Sequence, residues 1–233
     1  EVEVVKPLKI AIMSTGDELV EPGGEITPGK IYSSNRYVLS GMLRTMGMSV
    51  IDLGIVADTP KSTERALLKA ASVADCILSS GGVSVGEEDH IKSAVEKLGK
   101  LYLWKLAIKP GKPLAFGDVH GVPFFGLPGN PVSTFVTFHI VARQYLLSMQ
   151  GFNNSKPFCL TGESDFSFEG GSRREYLRVQ IENIDGQTRL SKYPYQSSGI
   201  MSSVVFADAL ALVEPGQIVR PGDRLTIYPL SLC

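Results

Sequence analysis

Short apolar runs and amphipathic segments alternate along the first two thirds of the chain. The apolar runs have the length of strands buried on both faces, and the segments between them repeat apolar residues at helical spacing. The predicted strands cover residues 8–13, 49–56, 76–78, 101–108, 114–116 and 122–125, and the predicted helices cover residues 31–47, 60–74, a segment ending near 97, and 131–150. This alternation predicts an α/β fold, with a mostly parallel sheet and helices on both faces.

The first predicted helix carries its own start and stop signals. Ser33, Ser34 and Asn35 are residue types that cap the first turn of a helix, and Gly47 is typical of a helix end. The last predicted helix begins with Pro131, which suits the first helical position because its missing N–H would have no partner there. Both helices therefore have defined ends in the sequence.

The pattern changes near residue 155. Helical periodicity ends, and short alternating segments at residues 176–181, 209–213 and 224–228 are separated by Gly, Pro and Asn-Asp signals. This favours a small all-β domain, either a barrel or a sandwich. We therefore predict two domains, an α/β domain at residues 1–152 and a C-terminal β domain at residues 153–233.

Composition and charge exclude several classes of protein. The 233 residues carry 23 basic and 24 acidic side chains, so no global field attracts nucleic acid or an anionic membrane. The three cysteines lack the paired spacing of a zinc site or a disulfide framework, which favours the reducing cytoplasm. Neither a membrane-spanning run nor a signal peptide is found. Because Glu1 is not a methionine and a strand follows almost at once, we expect this chain to be a fragment of a longer polypeptide.

Acidic residues follow three of the predicted strands. Glu18 lies after the first strand, Asp58 after the second and Asp89 after the third. The carboxyl ends of parallel strands meet at one edge of a sheet, so these three carboxylates are expected to converge. Together with basic residues from later loops, they suit a substrate that carries phosphates and a divalent cation, for which Mg²⁺ is the natural choice.

Glycines make the third loop open to a ligand. Gly81 and Gly82 would let backbone N–H groups approach a phosphate, and the Ser84 hydroxyl could donate a further hydrogen bond. The alternative is that both glycines only make a tight turn between a strand and a helix.

Two later loops add basic and rigid elements. On an extended segment Lys105 and Lys109 would point to the same side, about 13 Å apart at about 3.3 Å per residue, and could bind two anionic groups. Prolines in the segment KPGKP would hold Lys109 and Lys112 in place, although lysines that only solvate an edge strand remain an alternative. The turn GLPGNP precedes a helix amino terminus that favours an oxyanion, or it serves helix initiation alone.

Four segments together resemble the MoeA family of molybdopterin molybdenumtransferases, whose relatives include the E domain of gephyrin and its plant counterpart. They are STGDEL at residues 14–19, GGVSVGEED at 81–89, KLAIKPGKP at 105–113 and GLPGNPVS at 126–133. The resemblance covers essentially the whole chain and corresponds to the family's catalytic and C-terminal domains. It implies a MogA/MoeA-like three-layer α/β fold and molybdenum cofactor biosynthesis: Mg²⁺-dependent insertion of molybdate into adenylylated molybdopterin, with hydrolytic release of AMP.

The resemblance also implies roles for individual residues. The family's active-site acids correspond to Glu18, Asp58 and Asp89, and its lysines to Lys105 and Lys109. Asp58 and Asp89 are expected to bind the metal and the hydrolytic water, the lysines to bind phosphate and molybdate oxygens, and Glu18 to orient a pterin or a water. The predicted substrate-binding residues are Thr15, Gly81, Gly82, Ser84, Lys112, Pro128, Gly129, Asn130, Ser133, Arg178 and Ser198, of which the last two resemble the family's molybdate-site residues.

Further expectations concern partners. Family members carry two additional amino-terminal domains and form homodimers whose site lies between subunits, so this chain alone is expected to have an incomplete site. The molybdopterin adenylyltransferase of the preceding step is a possible partner, whereas nucleic acid and membranes are not expected. Two alternative functions stay open: an adenylyltransferase-like nucleotide-binding protein, which would bind ATP unaided, and a gephyrin-like scaffold, which would not need the acidic and lysine positions.

Overall fold

The computed structural model describes residues 2, 4–83, 90–153 and 156–230. In its first part, strands and helices alternate. The strands are β1 (Lys9–Thr15), β2 (Leu19–Val20), β3 (Ile31–Tyr32), β4 (Ser49–Val56), β5 (Cys76–Ser80), β6 (Gly99–Trp104), β7 (Ile108–Lys109), β8 (Ala115–Val119) and β9 (Val122–Leu127). The helices are α1 (Asn35–Thr45), α2 (Pro60–Val73), α3 (His90–Leu98), α4 (Pro131–Thr137) and α5 (Arg143–Met149), and a π-helical turn, Phe138–Ala142, joins the last two.

Six strands of the described chain form the central sheet, in the order β4-β1-β5-β9-β8-β6. The neighbours β4, β1, β5 and β9 are parallel, and β8 runs antiparallel to both β9 and β6. The sheet is thus parallel except for one strand. The predicted α/β class with a mostly parallel sheet is confirmed.

Alternate residues of the central strands enter two different cores. Ile10 and Ile12 of β1 pack in one core with residues of α1 and α5, whereas Ala11 and Met13 pack in the other with residues of α2 and α3. All four side chains are fully buried. Burial on both faces explains the continuous apolar run of β1, because neither face of the strand meets water.

Two predicted elements are wrong in their extent. Residues 31 and 32 form the short strand β3 with β2, and the helix begins only at Asn35. The predicted caps do not operate, since the Ser34 side chain makes no capping bond. The predicted strand at residues 101–108 ends at Trp104, because Lys105 adopts a positive φ of 145° that interrupts the extended chain.

The second part of the chain forms a closed barrel. Its elements are β10 (Leu160–Ser164), β11 (Phe168–Glu169), β12 (Arg174–Ile184), β13 (Gln187–Lys192), α6 (Ser202–Phe206), β14 (Ala209–Val213), β15 (Ile218–Val219) and β16 (Arg224–Pro229). Pairing runs β12-β14-β16-β10-β13 and returns from β13 to β12. Of the two alternatives from the sequence, barrel and sandwich, the barrel is therefore correct.

One outer face of the barrel is buried against the α/β part. Along β12, Leu177 and Val179 fill the barrel core, while Tyr176 packs with Val132 and Val136 of α4. The short strand β7 also joins the barrel sheet by pairing in parallel with the beginning of β12. The predicted limit between residues 152 and 153 falls between α5 and β10 and stays a prediction.

Within the described residues, no helix has both the length and the apolar character that a membrane span requires.

Candidate functional site

An open cleft of about 430 Å³ lies at the carboxyl edge of the parallel strands. This is where loops and helix amino termini gather in an open α/β sheet. Its lining residues come from the loops after β1, β4, β5 and β9, together with neighbouring segments, and they are Thr15, Gly16, Glu18, Ile31, Asp58, Gly81, Gly82, Val83, Pro113, Pro128, Gly129, Asn130, Pro131 and Ser133. Nine of the predicted site residues thus border one cleft: Thr15, Glu18, Asp58, Gly81, Gly82, Pro128, Gly129, Asn130 and Ser133.

The predicted carboxylates meet only in part within the described chain. Glu18 and Asp58 both line the cleft. Asp89 and Ser84 lie outside the described residues. The position of Asp89 in the predicted cluster of three carboxylates therefore stays a prediction. Among residues 4–83, 90–153 and 156–230, no group of three His, Cys, Asp or Glu side chains is placed to hold a metal ion.

Close packing accounts for the two glycines after β5. Gly81 and Gly82 have positive φ values of 84° and 65°. A Cβ at Gly81 would overlap with the Thr15 carbonyl oxygen, and a Cβ at Gly82 would lie 2.5 Å from the Thr15 hydroxyl. The turn between strand and helix therefore needs both glycines, and it also brings their backbone to the cleft surface. The interpretation of a tight turn is therefore correct, and the binding of a phosphate by these glycines stays a prediction.

A side pocket of about 60 Å³ opens next to the cleft. Its wall includes four serines and one threonine, namely Ser14, Ser33, Ser34, Ser80 and Thr15. Ser14 and Ser80 hydrogen-bond each other at 2.8 Å, whereas the buried hydroxyls of Thr15 and Ser33 have no partner in the described structure. Buried polar groups are normally paired, so these two hydroxyls are exceptions to that rule.

The turn before α4 connects three parts of the molecule. The Gly129 carbonyl accepts a hydrogen bond of 2.7 Å from the Asn35 amide of α1. The Asn130 amide donates to the Ser198 hydroxyl at 3.1 Å, and the Val132 N–H donates to the Ser198 carbonyl at 3.0 Å. Ser198 belongs to the barrel part of the chain, and the structure places it directly against the GLPGNP turn.

The predicted lysines do not line the cleft. Lys105, Lys109 and Lys112 are exposed, and of this loop only Pro113 borders the cleft. Lys109 forms an ion pair with Glu175, with 3.0 Å between Nζ and Oε2. The interpretation that Lys105 and Lys109 share one side of a strand is wrong, because β6 ends before Lys105 and β7 belongs to the barrel sheet.

Arg178 is buried within the barrel part of the chain. Its side chain is 1% exposed, and its guanidinium donates to the Ser203 hydroxyl at 3.2 Å and to the carbonyls of Tyr176 and Ser197 at 3.1 and 3.4 Å. Burial lowers the pKa of Arg178 to about 10 because desolvation penalises the charged form. No described carboxylate pairs with it, so its positive charge is not neutralised locally.

Several residues at the site have no strong signal in the sequence. The sequence predicts Asn35 as a helix cap, but its amide holds the turn before α4. Arg36 is buried on α1 and bridges Glu21 and Asp52, with 2.6 and 2.7 Å between the charged atoms, which fixes the loop after β2. Glu175 looks like an ordinary strand residue until its contact with Lys109 is known. Only long-range contacts reveal these roles.

Two family profiles match the chain. One is described as “Probable molybdopterin binding domain” and matches residues 11–148, and the other is described as “MoeA C-terminal region (domain IV)” and matches residues 164–230. The first covers more than half of the chain, and the second covers the barrel.

Similar proteins agree with these matches. Molybdopterin molybdenumtransferase of Haemophilus influenzae is 37% identical over 99% of this chain and 58% of its own length. Molybdenum cofactor synthesis protein cinnamon of Drosophila melanogaster is 37% identical over 96% of this chain and 38% of its own length.

A solved structure gives the same result. A crystal structure of the molybdopterin biosynthesis MoeA protein of Pyrococcus horikosii superposes with a TM-score of 0.83 at 28% identity, over 97% of this chain and 55% of that one. The chain spans about half the length of such relatives, or less. With both profiles matched in order and the whole fold shared, the chain belongs to the MoeA family.

Proposed function

We propose that the cleft is part of the site at which molybdate is inserted into adenylylated molybdopterin, with release of AMP. The observation that carries this proposal is the convergence of Glu18 and Asp58 with the Gly81-Gly82 turn and the turn before α4 around one cleft. In this proposal backbone N–H groups of the glycine turn bind phosphate oxygens, Asp58 holds the hydrolytic water, and Glu18 orients a pterin or a water.

Mg²⁺ is the proposed cofactor of this step. Magnesium in phosphate-binding sites commonly uses one or two carboxylates together with substrate phosphates. Asp58 in the cleft is one proposed ligand, and Asp89, outside the described residues, is the other. When bound, the ion would neutralise phosphate oxygens that the carboxylates alone would repel.

Anionic oxygens are proposed to bind on the barrel side of the cleft. Lys105, Lys109 and Lys112 supply exposed ammonium groups, in the segment whose Pro113 borders the cleft. Arg178 supplies a buried positive charge, and Ser198 a hydroxyl that already contacts Asn130. Phosphate oxygens are assigned to the lysines, and molybdate oxygens to the lysines with Arg178 and Ser198.

The complete enzyme is proposed to be longer than this chain. The Haemophilus influenzae relative is named a transferase and extends well beyond the matched region. We propose that the full-length protein acts as a cytoplasmic homodimer with further domains completing the site, and that the molybdopterin adenylyltransferase delivers its substrate.

The first test is a titration of the full-length protein with adenylylated molybdopterin, with and without Mg²⁺. We expect micromolar or tighter binding, about −8 kcal/mol or better. Asp58→Asn should abolish the Mg²⁺ dependence of AMP release, while Asp185→Asn, in a barrel turn, is the matched control and should change nothing.

Two outcomes would overturn the proposal. Binding of ATP in place of the adenylylated pterin would favour the adenylyltransferase alternative. Failure of the full-length protein to bind either ligand would favour a scaffold function.

A further inference from the structure

Glu175 is a buried acid beside an exposed lysine. It lies near the start of β12 and is 3% exposed. Its Oε1 accepts a hydrogen bond from the Gly171 N–H at 2.9 Å, and its Oε2 lies 3.0 Å from the Lys109 ammonium. The Lys109 side chain is 52% exposed. The pair therefore joins a fixed carboxylate inside the protein to an ammonium at its surface.

The backbone around this pair is also fixed by the barrel. Glu175 is the register partner of Lys109 in the parallel pairing of β7 with β12. The Arg174 N–H donates to the Ala107 carbonyl at 3.2 Å, and the Arg173 guanidinium donates to the Ile108 carbonyl at 2.9 Å. Lys109 thus has both its main chain and its ammonium held by the barrel, although it belongs to the loop that ends at the cleft.

Such an arrangement suits a cationic side chain that is ordered before its anionic ligand binds. A lysine side chain has several rotatable bonds and loses much rotamer freedom when it is ordered. The Lys109 ammonium has three N–H donors, of which Glu175 uses one. The other two N–H groups can donate hydrogen bonds to an oxygen of a ligand. A fixed partner removes the ordering cost from the binding step, which is the general advantage of preorganisation.

We propose that Glu175 is a positioning residue that holds the Lys109 ammonium ready for an anionic oxygen of the substrate. This inference rests on the proposed function, in which Lys109 binds phosphate or molybdate oxygens. Glu175 itself does not touch the substrate. Its carboxylate acts through Lys109, and the β7–β12 pairing makes the barrel part of the site.

Two effects of Glu175 oppose each other, and their balance can be measured. Its negative charge repels an arriving anion, whereas its hold on Lys109 lowers the entropy loss of binding. If positioning dominates, Glu175→Gln in the full-length protein raises KM for adenylylated molybdopterin about tenfold, which corresponds to about 1.4 kcal/mol, and leaves kcat nearly unchanged. If repulsion dominates, KM falls, and the proposal is overturned.

A spectroscopic readout reports on the pair without any turnover. An ammonium held in an ion pair gives a sharp ¹⁵Nζ resonance, and a free one is broadened by exchange with water. We expect the Lys109 resonance to be sharp in the unliganded wild-type protein, lost in Glu175→Gln and retained in Glu175→Asp. A broad Lys109 resonance in the wild type would overturn the proposal even if the glutamine variant did not fold.

Glu214→Gln is the matched control. Glu214 pairs with Arg174, the neighbour of Glu175, at 2.9 Å, and both side chains are half exposed. The Glu214→Gln substitution should leave both the Lys109 resonance and the KM for adenylylated molybdopterin unchanged.

Failure of this inference and failure of the proposed function are distinguishable. If Lys109→Gln weakens substrate binding but Glu175→Gln does not, positioning is wrong and the role of Lys109 stands. If neither variant changes substrate binding while the resonance confirms the ion pair, the proposed role of Lys109 is wrong. The proposed positioning role of Glu175 is then wrong as well.

Discussion

Polar groups on the two sides of the cleft differ in how they are paired. On the α/β side, the buried hydroxyls of Thr15 and Ser33 have no partner among the described residues. On the barrel side, the Arg178 guanidinium has three acceptors, and Lys109 is paired with Glu175. Two buried hydroxyls of the α/β side therefore lack a partner, whereas the polar groups of the other side are paired within the fold.

This difference separates two ways of building a binding site. The loops of the α/β side contain buried hydroxyls, those of Thr15 and Ser33, whose missing partners cost stability. The barrel instead supplies groups whose positions are fixed by their own contacts. Removing a polar group should therefore cost stability on the barrel side and leave stability nearly unchanged on the α/β side.

The largest effect is expected for Arg178→Ala. The substitution removes a fully buried side chain and leaves the Ser203 hydroxyl and two carbonyls without their donor. The free energy of unfolding should fall by about 3–5 kcal/mol, measured by urea denaturation. Arg174→Ala, whose ion pair with Glu214 is half exposed, should cost no more than about 1 kcal/mol. Equal losses in the two variants would contradict the comparison.

A second effect concerns pH at the contact between the two parts. His139 lies in the π-helical turn, hydrogen-bonds the Pro229 carbonyl of β16, and has its pKa lowered from 6.5 to about 4 by burial, with a further contribution from Arg143. At pH values between about 4 and 6.5, His139 binds its proton more tightly in the unfolded state than in the folded state. The stability contributed by neutral His139 is therefore complete above pH 6.5 and is lost as the pH falls toward 4.

The magnitude of this loss should be about 3 kcal/mol between about pH 7 and about pH 4. Other groups also titrate in this range, so the wild type is compared with His139→Gln. The difference in unfolding free energy between the two proteins should shrink by that amount on acidification. A difference that is the same at both pH values would rule out a buried neutral histidine.

The third effect tests the backbone of the α/β side. Gly81→Ala places a Cβ against the Thr15 carbonyl at a positive φ, and we expect a loss of about 3 kcal/mol of unfolding free energy. Gly23→Ala also occurs at a positive φ but has open space around it, so it should cost only about 1 kcal/mol. Thermal denaturation of both variants would show whether close packing or φ alone requires Gly81.

The smallest effect on stability is expected for Thr15→Val and Ser33→Ala. Each removes a buried hydroxyl without a partner in the described part of the chain, so the unfolding free energy should change by less than about 0.5 kcal/mol or rise slightly. Affinity for adenylylated molybdopterin should fall about fivefold if these hydroxyls bind the ligand. Calorimetric titration beside urea denaturation separates the two quantities. A large loss of stability would mean that hydroxyls on the α/β side stabilise the fold as strongly as the polar groups of the barrel do.

Much of the α/β side could be predicted from the sequence because its signals are local. Residues 49–56 form β4 as predicted, since an apolar run between turn signals has few alternatives. Parallel strands also place their carboxyl ends at one edge, which is why Glu18, Asp58 and the GLPGNP turn could be placed together. Lys105 shows the limit of such reasoning, because its positive φ ends a strand that its neighbours favour.

The sequence by itself determined the elements, the order of the loops and the family resemblance, all of which depend on residues close together in the chain. Only the tertiary structure decided that β7 joins the barrel, that Glu175 meets Lys109 and that Arg178 is buried. These contacts join residues that are far apart in the chain, or they depend on which face of a strand is covered. No local pattern specifies such partners, because the free energy that selects them comes from packing between segments that are distant in the sequence.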